Sequence, residues 1–268
     1  RTDCGVLWGA PYIFRFFVGW PRPPAVLGTD FAGEVVQVGS AVTRFQPSDR
    51  VFGFNDNGAG SYAELLTFPE TGGITTIPEG ISYETAAASA EGAHYAYNYL
   101  RKLAMGSGHK IMLNGGTGAI GSAAIQMLKH RGASVVATAP TGHLEQVKAL
   151  GAVRVINYQQ EDFTQDEDRY DFVFDAVGKS TFSQCRRLLL PQGYYTSSEL
   201  GPNAENPLRA LLAPIQKGKK VAFPTPSDIP QSLAYIKELL AQDAFHPLLD
   251  RTYPLAQAAE AFSYVNSG

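Results

Sequence analysis

Gly115-Gly116-Thr117-Gly118-Ala119-Ile120-Gly121 is the stretch on which the reading of this chain turns. The apolar run Ile111 to Asn114 before it predicts a buried strand, and Ala119 to His130 after it predicts a helix. Gly116, Gly118 and Gly121 keep the G-x-G-x-x-G spacing in that strand–turn–helix setting, which is what gives the motif its chemistry. One glycine allows the tight turn, one lets the backbone come close to a pyrophosphate, and one lets the helix pack tightly on the sheet. The unpaired amides of a helix starting near Ala119, at the positive end of its dipole, favour an anion. The plainer alternative is a glycine-rich turn with no ligand, and the flanking elements weigh against it. Gly116, Thr117, Gly118, Ala119 and Ile120 are the first candidate coenzyme contacts.

Downstream the pattern repeats. Strands are predicted over Ser134–Thr138, Arg154–Ile156, Asp171–Ala176 and Gly193–Ser198, and helices over Leu144–Leu150 and Thr181–Leu190. Alternation of this kind implies right-handed crossovers and a parallel sheet covered on both faces, so the fold class is α/β with a doubly wound Rossmann domain. Ligands of such sheets bind beyond the carboxyl ends of the strands. Ala176, Val177 and Gly178 end one strand there, and Ser197 and Ser198 end the next, which makes both groups candidate contacts.

The chain has 268 residues, enough for two cores. Its first eighty residues alternate short β-rich runs, such as Gly33–Gly39 and Asp49–Gly53, with Gly, Pro and Asp punctuation, and read as a small irregular sheet domain. Tyr83 to Leu103 reads as one long helix or two broken near Gly92, and helices over Ile229–Ala241 and Leu255–Tyr264 close the chain. Expected boundaries are 1–89 with 226–268 for the substrate domain and 90–225 for the Rossmann domain. A net charge of −3 leaves no basic surplus for nucleic acid, so a small metabolite is the expected partner. The two cysteines are far apart and write no disulfide framework, which fits a reducing compartment such as the cytosol. No apolar run reaches the length of a membrane span, and an organelle address before Arg1 is left open.

An NAD site places an acidic residue about 20 residues beyond the glycines, at the end of the second strand, to bind the ribose hydroxyls. Here Val136-Ala137-Thr138-Ala139-Pro140-Thr141-Gly142-His143 has no carboxylate, so a 2′-phosphate meets no repulsion. Thr138, Thr141 and His143 are candidate donors to it, although no Lys or Arg lies in the turn. NADPH is expected over NADH.

Gly118-Ala119-Ile120-Gly121 with Gln126 and Lys129 resembles the zeta-crystallin and quinone oxidoreductase signature of the medium-chain dehydrogenase/reductase superfamily. Leu27 to Val35, Gln46 to Val51, Gly151-Ala152 with Val155 to Tyr158, and Tyr170 to Gly178 are similar to the family in the same order. The resemblance implies a GroES-like substrate domain built from both chain ends, a Rossmann domain between them, and further residues before Arg1 and after Gly268. It implies that Thr2 and Asp3 face the nicotinamide and that Tyr158 lies near the adenine. It also implies a homodimer through the Rossmann edge strand near Lys220 to Phe223.

Zinc-dependent relatives carry Gly-His-Glu where this chain has Gly28-Thr29-Asp30, and no cysteine lies between Cys4 and Cys185. A catalytic zinc needs three converging N, S or O ligands, so none is expected. Without a Lewis acid, alcohol oxidation lacks a stabiliser for the alkoxide. Conjugate reduction needs only hydride, hydrogen-bond donors for the enolate and a proton. The expected function is therefore zinc-independent, NADPH-dependent reduction of a small apolar quinone or enone. Trp8, Tyr12, Phe14, Phe16, Phe17 and Trp20 could line such a pocket, with ordinary packing as the plainer account. Tyr62 is a candidate proton donor beside Thr2 and Asp3. Two alternatives remain: a non-catalytic NADPH binder of the crystallin or vesicle-protein kind, and an alcohol or carbonyl oxidoreductase of the same superfamily. A short-chain dehydrogenase is excluded, because none of the thirteen tyrosines has Lys four positions on.

Overall fold

The computed structural model describes Cys4, residues 26–56, Gly58 and residues 60–267. The chain divides into two compact units, one of residues 1–91, 228–243 and 249–268, the other of residues 92–227 and 244–248.

In the first unit β1 (Asp30–Glu34), β2 (Arg50–Phe54) and β3 (Ile74–Thr76) form an antiparallel meander, with Asp30 opposite Phe54 and Val51 opposite Thr76. β1 begins and ends earlier than the predicted Gly33–Gly39 strand: its last pair is Glu34 with Arg50, and Val36 beyond it is exposed. One long helix is not formed. Helix α1 (Tyr83–Ala88), capped by the Ser82 side chain, stops at Ser89, whose N–H bonds back to Ala86, and α2 (Glu91–Lys102) starts afresh. The break thus precedes Gly92, which instead lies where a Cβ would come 2.6 Å from that of Ala119.

The second unit holds a six-stranded, all-parallel sheet of β4 (Lys110–Asn114), β5 (Ser134–Ala139), β6 (Arg154–Asn157), β7 (Tyr170–Asp175), β8 (Leu189–Ser197) and β9 (Lys220–Ala222). Their order is β6-β5-β4-β7-β8-β9, the doubly wound arrangement in which strand order reverses between β4 and β7. The middles of the central strands are apolar because both faces are covered: Ile111, Met112 and Leu113 of β4 are fully buried. Helix α3 (Ala119–His130) follows β4 and buries Ala123, Ile125, Met127 and Leu128, and α4 (Leu144–Ala149) follows β5. The predicted helix Thr181–Leu190 is shorter, since α5 (Phe182–Cys185) passes through one 3-10 turn into β8 at Leu189. Helix α6 (Glu205–Leu212) was not legible in the sequence; α7 (Ile229–Ala241) and α8 (Ala258–Asn266) complete the chain.

Candidate functional site

The carboxyl ends of β4 and β7, at the reversal of strand order, carry the glycine turn and the Ala176-Val177-Gly178 loop side by side. Gly121 is required by the protein itself, because a Cβ there would lie 2.0 Å from the carbonyl oxygen of Gly115. Gly118 is different. Its backbone, at φ −72° and ψ 161°, is one any residue adopts, and a Cβ there would meet only Gly115 O at 3.6 Å. Among the described residues nothing demands glycine at Gly118, and its bareness leaves room for a group approaching from outside. Gly118 is the N-cap of α3, no side chain caps that end, and its first turn has no acidic residue. The twelve-residue helix therefore leaves its first amides for an anion.

A hydrogen-bond relay across three strands holds this turn. Gly115 N–H donates to Thr138 Oγ1 at 2.9 Å, Thr138 donates to Asn114 Oδ1 at 2.7 Å, and Asn114 Nδ2 donates to Asp175 Oδ1 at 3.0 Å. Asp175 is completely buried, yet its two oxygens also accept from the N–H groups of Val177 (3.1 Å), Gly178 (3.0 Å) and Ser180 (2.7 Å), and from Ser180 Oγ at 2.7 Å. Five donors thus replace the water that these two oxygens have lost. Its effect is to shape the β7 loop against Gly115, where a Cβ would strike Val177 at 2.1 Å. Asn114 and Asp175 are site-building residues that the glycine motif did not reveal. The signal available was an Asp closing the apolar run Phe172-Val173-Phe174 at the end of its strand.

Gly116, Thr117, Ala119 and Ile120 lie together in this turn, with Ala119 exposed, and Val177 and Gly178 are exposed beside it. Tyr158 follows β6 and is 52% exposed, a surface ring on the side of the sheet that serves the first mononucleotide half. Three readings change. Thr138 is not a phosphate donor, because it is completely buried and its hydroxyl hydrogen goes to Asn114. Thr141 is exposed but donates to Gln159 Oε1 at 2.8 Å, so its donor is committed as well. Ser197 is buried with Oγ accepting from Glu199 N–H and its carbonyl accepting from Tyr99 OH, whereas Ser198 is half-buried. His143 remains exposed in the turn after β5. Glu199 stands next to Ser198. Burial, then the charge of Asp175, raises its carboxyl above the usual carboxylate range.

In the first unit, Thr29 is buried with its hydroxyl 2.9 Å from Asp30 Oδ2 and 3.3 Å from Glu91 Oε2, and Asp30 Oδ1 accepts from Glu91 N–H at 2.8 Å. This cluster offers a hydroxyl and two carboxylates, and among the described residues no three His, Cys, Asp or Glu converge as a metal site. Tyr62 is exposed and packs edge-on against Phe262 at 5.7 Å. Thr2, Asp3 and the aromatic run from Trp8 to Trp20 lie outside the described residues. No helix among the described residues is long and apolar enough to cross a membrane.

Residues 8–79 match the family model of an alcohol dehydrogenase GroES-like domain, and residues 150–268 that of a zinc-binding dehydrogenase. The chain is 41% identical over 165 residues to a 2-methylene-furan-3-one reductase of Solanum lycopersicum, covering 58% of this chain and 42% of that protein. It is 38% identical over 164 residues to a chloroplastic NADPH-dependent alkenal/one oxidoreductase of Arabidopsis thaliana, again covering 58% and 42%. The chain thus spans less than half the length of these two curated relatives. The solved quinone oxidoreductase from Coxiella burnetii matches with a TM-score of 0.81 at 26% identity, over 96% of this chain and 82% of that one. A GroES-like unit with a doubly wound Rossmann unit is the fold of dehydrogenases that use a nicotinamide coenzyme. The chain belongs to the medium-chain dehydrogenase/reductase superfamily, in its quinone oxidoreductase-like branch.

Proposed function

We propose that this protein is a zinc-independent, NADPH-dependent reductase of quinones or α,β-unsaturated carbonyl compounds, with residues 1–89 and 226–268 forming its substrate domain. The observation that carries the reading is the bare, uncapped helix end at Gly118, a cradle that a Cβ would fill. When bound, the nicotinamide would supply a hydride. The chain's own part is to receive the pyrophosphate on the α3 amides, to hold the turn through Thr138, Asn114 and Asp175, and to shape the Val177–Gly178 edge. Thr29 standing among carboxylates instead of a metal ligand favours an acceptor that needs no Lewis acid. Relatives named for a methylene-furanone and for alkenals and alkenones support a conjugated carbonyl as that acceptor. The missing carboxylate after β5 supports NADPH, as does the name of the Arabidopsis relative. That relative's chloroplast label leaves a plastid as well as the cytosol open as the reducing compartment in which this protein works.

A homodimer is part of the same reading. β9 is the edge of the described sheet, and the neighbouring α6 presents Leu208, Leu211 and Leu212, continued by Ile215, to solvent. The function is tested by following NADPH oxidation with a panel of quinones, enones and simple aldehydes. Turnover confined to the quinones or enones is expected, unaffected by a chelator. Tight NADPH binding with no turnover on any acceptor would overturn the enzymatic reading.

A further inference from the structure

We propose that His143 reads the coenzyme's 2′-phosphate and makes the preference for NADPH over NADH fall as pH rises. The inference rests on the NADPH reading and deepens it. In the turn between β5 and α4 the structure removes the other donor side chains: Thr138 faces inward to Asn114, and Thr141 directs both its hydroxyl and its N–H to Gln159 Oε1, at 2.8 and 3.0 Å. From Ala139 to Val147 there is no Lys or Arg, so the imidazole of His143 is the one side chain of this stretch able to carry positive charge.

The ring is oriented. Its Nδ1 lies 2.8 Å from Gln146 Oε1, and an amide oxygen only accepts, so the hydrogen sits on Nδ1. A neutral ring held in that tautomer presents the lone pair of Nε2, which repels a phosphate oxygen. A protonated ring presents Nε2–H, which donates to it with charge assistance. Gln146 thereby excludes the neutral tautomer that could have served the phosphate, and ties phosphate recognition to ring charge. Charged neighbours on α4 are Glu145 and Lys148, both exposed and of opposite sign. The adjoining end of β6 contributes Asn157, Tyr158 and Gln159, which are uncharged near neutral pH. Among the described residues His143 enters no ion pair. Histidine changes charge between about pH 5 and 8, whereas a phosphate monoester loses its second proton near about pH 6.

The test is calorimetric titration of the full chain with NADPH and with NADH from about pH 6.5 to about pH 8.5, the range in which imidazole loses its proton and the phosphate keeps both charges. The ratio of the two dissociation constants should move roughly tenfold against NADPH across that range, the worth of one charge-assisted hydrogen bond. His143→Ala should give a low ratio that is flat with pH, and His143→Lys a high ratio that is flat, with NADH affinity unchanged in both. A wild-type ratio that does not vary with pH, or one that His143→Ala leaves unaltered, would overturn the inference while leaving coenzyme binding intact. Binding of neither nucleotide would overturn the reading on which it rests.

Discussion

Asp175 and Gly118 represent opposite ways in which one residue serves this site. Asp175 works from within. Replacing it by Ala leaves Asn114 Nδ2, three N–H groups and the Ser180 hydroxyl facing an apolar gap, and unpaired buried donors are costly. Asp175→Ala should lose about 3 kcal/mol in urea unfolding and weaken coenzyme binding through the Val177–Gly178 loop. An unchanged unfolding midpoint would show that the relay does not hold the fold. Gly118 works by leaving room. Gly118→Ala should cost less than about 1 kcal/mol of stability yet, at the proposed coenzyme site, reduce coenzyme affinity at least about tenfold, since the added methyl would fill the space left open for a pyrophosphate. Gly121→Ala should do the reverse in emphasis, destabilising the fold by roughly 1 to 3 kcal/mol because its Cβ meets the Gly115 backbone. Thermal melts and nucleotide titrations on the two variants separate these roles. Coenzyme affinity left intact in Gly118→Ala would remove the main support for the cradle.

Among the elements, β6 and β7 are joined at their amino ends, far from the glycine turn, by Arg154, Asp166 and Tyr170. Arg154 reaches Asp168 at 3.1 Å and Tyr170 OH at 3.0 Å, and Tyr170 OH also bonds Asp166. Burial acts to raise the Asp166 carboxyl, but hydrogen bonds from Tyr170 and Arg154 outweigh it and hold the group below the usual carboxylate range. A lowered folded-state value means stability that is present at neutral pH and lost as pH falls through that value. Arg154 is 42% exposed, so screening keeps the contribution under about 1 kcal/mol. Unfolding midpoints measured down to about pH 3, below the ordinary carboxylate range, should therefore fall less in Asp166→Asn than in the parent. Parallel acid sensitivity in the two proteins would refute the assignment. The strands and helices around the glycine turn were legible because their apolar patterns are long and flanked by Gly. β8 was less so: it passes Pro191 and Gly193 with a register shift opposite Tyr170–Phe172, a concession to its neighbour β7 that no local pattern announces. α6 lacks a local helix signal for a related reason. Gly201, Pro202, Asn203 and Pro207 read as loop, and the helix is anchored by Asn206 Nδ2 donating to Glu199 O at 2.8 Å.

For the molecule as a whole, the exposed row Leu208, Leu211, Leu212 and Ile215 beside edge strand β9 argues that a second copy covers it. Light scattering should give a dimer mass for the parent and a monomer mass for Leu211→Glu with little change in melting temperature; a monomeric parent would refute the dimer. The sequence by itself determined the α/β class, the Rossmann unit and its glycine turn, because these depend on local periodicity and on glycine spacing within a few residues. It also determined that no carboxylate follows β5 and that Thr29 stands where a metal ligand would. Tertiary structure decided which polar side chains face outward. Thr138, Thr141 and His143 look equivalent along the chain, yet the first is buried on Asn114, the second is held by Gln159, and the third keeps one ring nitrogen unengaged. Hydroxyl direction and burial depend on partners from other strands, Asn114 on β4 and Gln159 beyond β6, and such partners become neighbours only when the sheet has assembled.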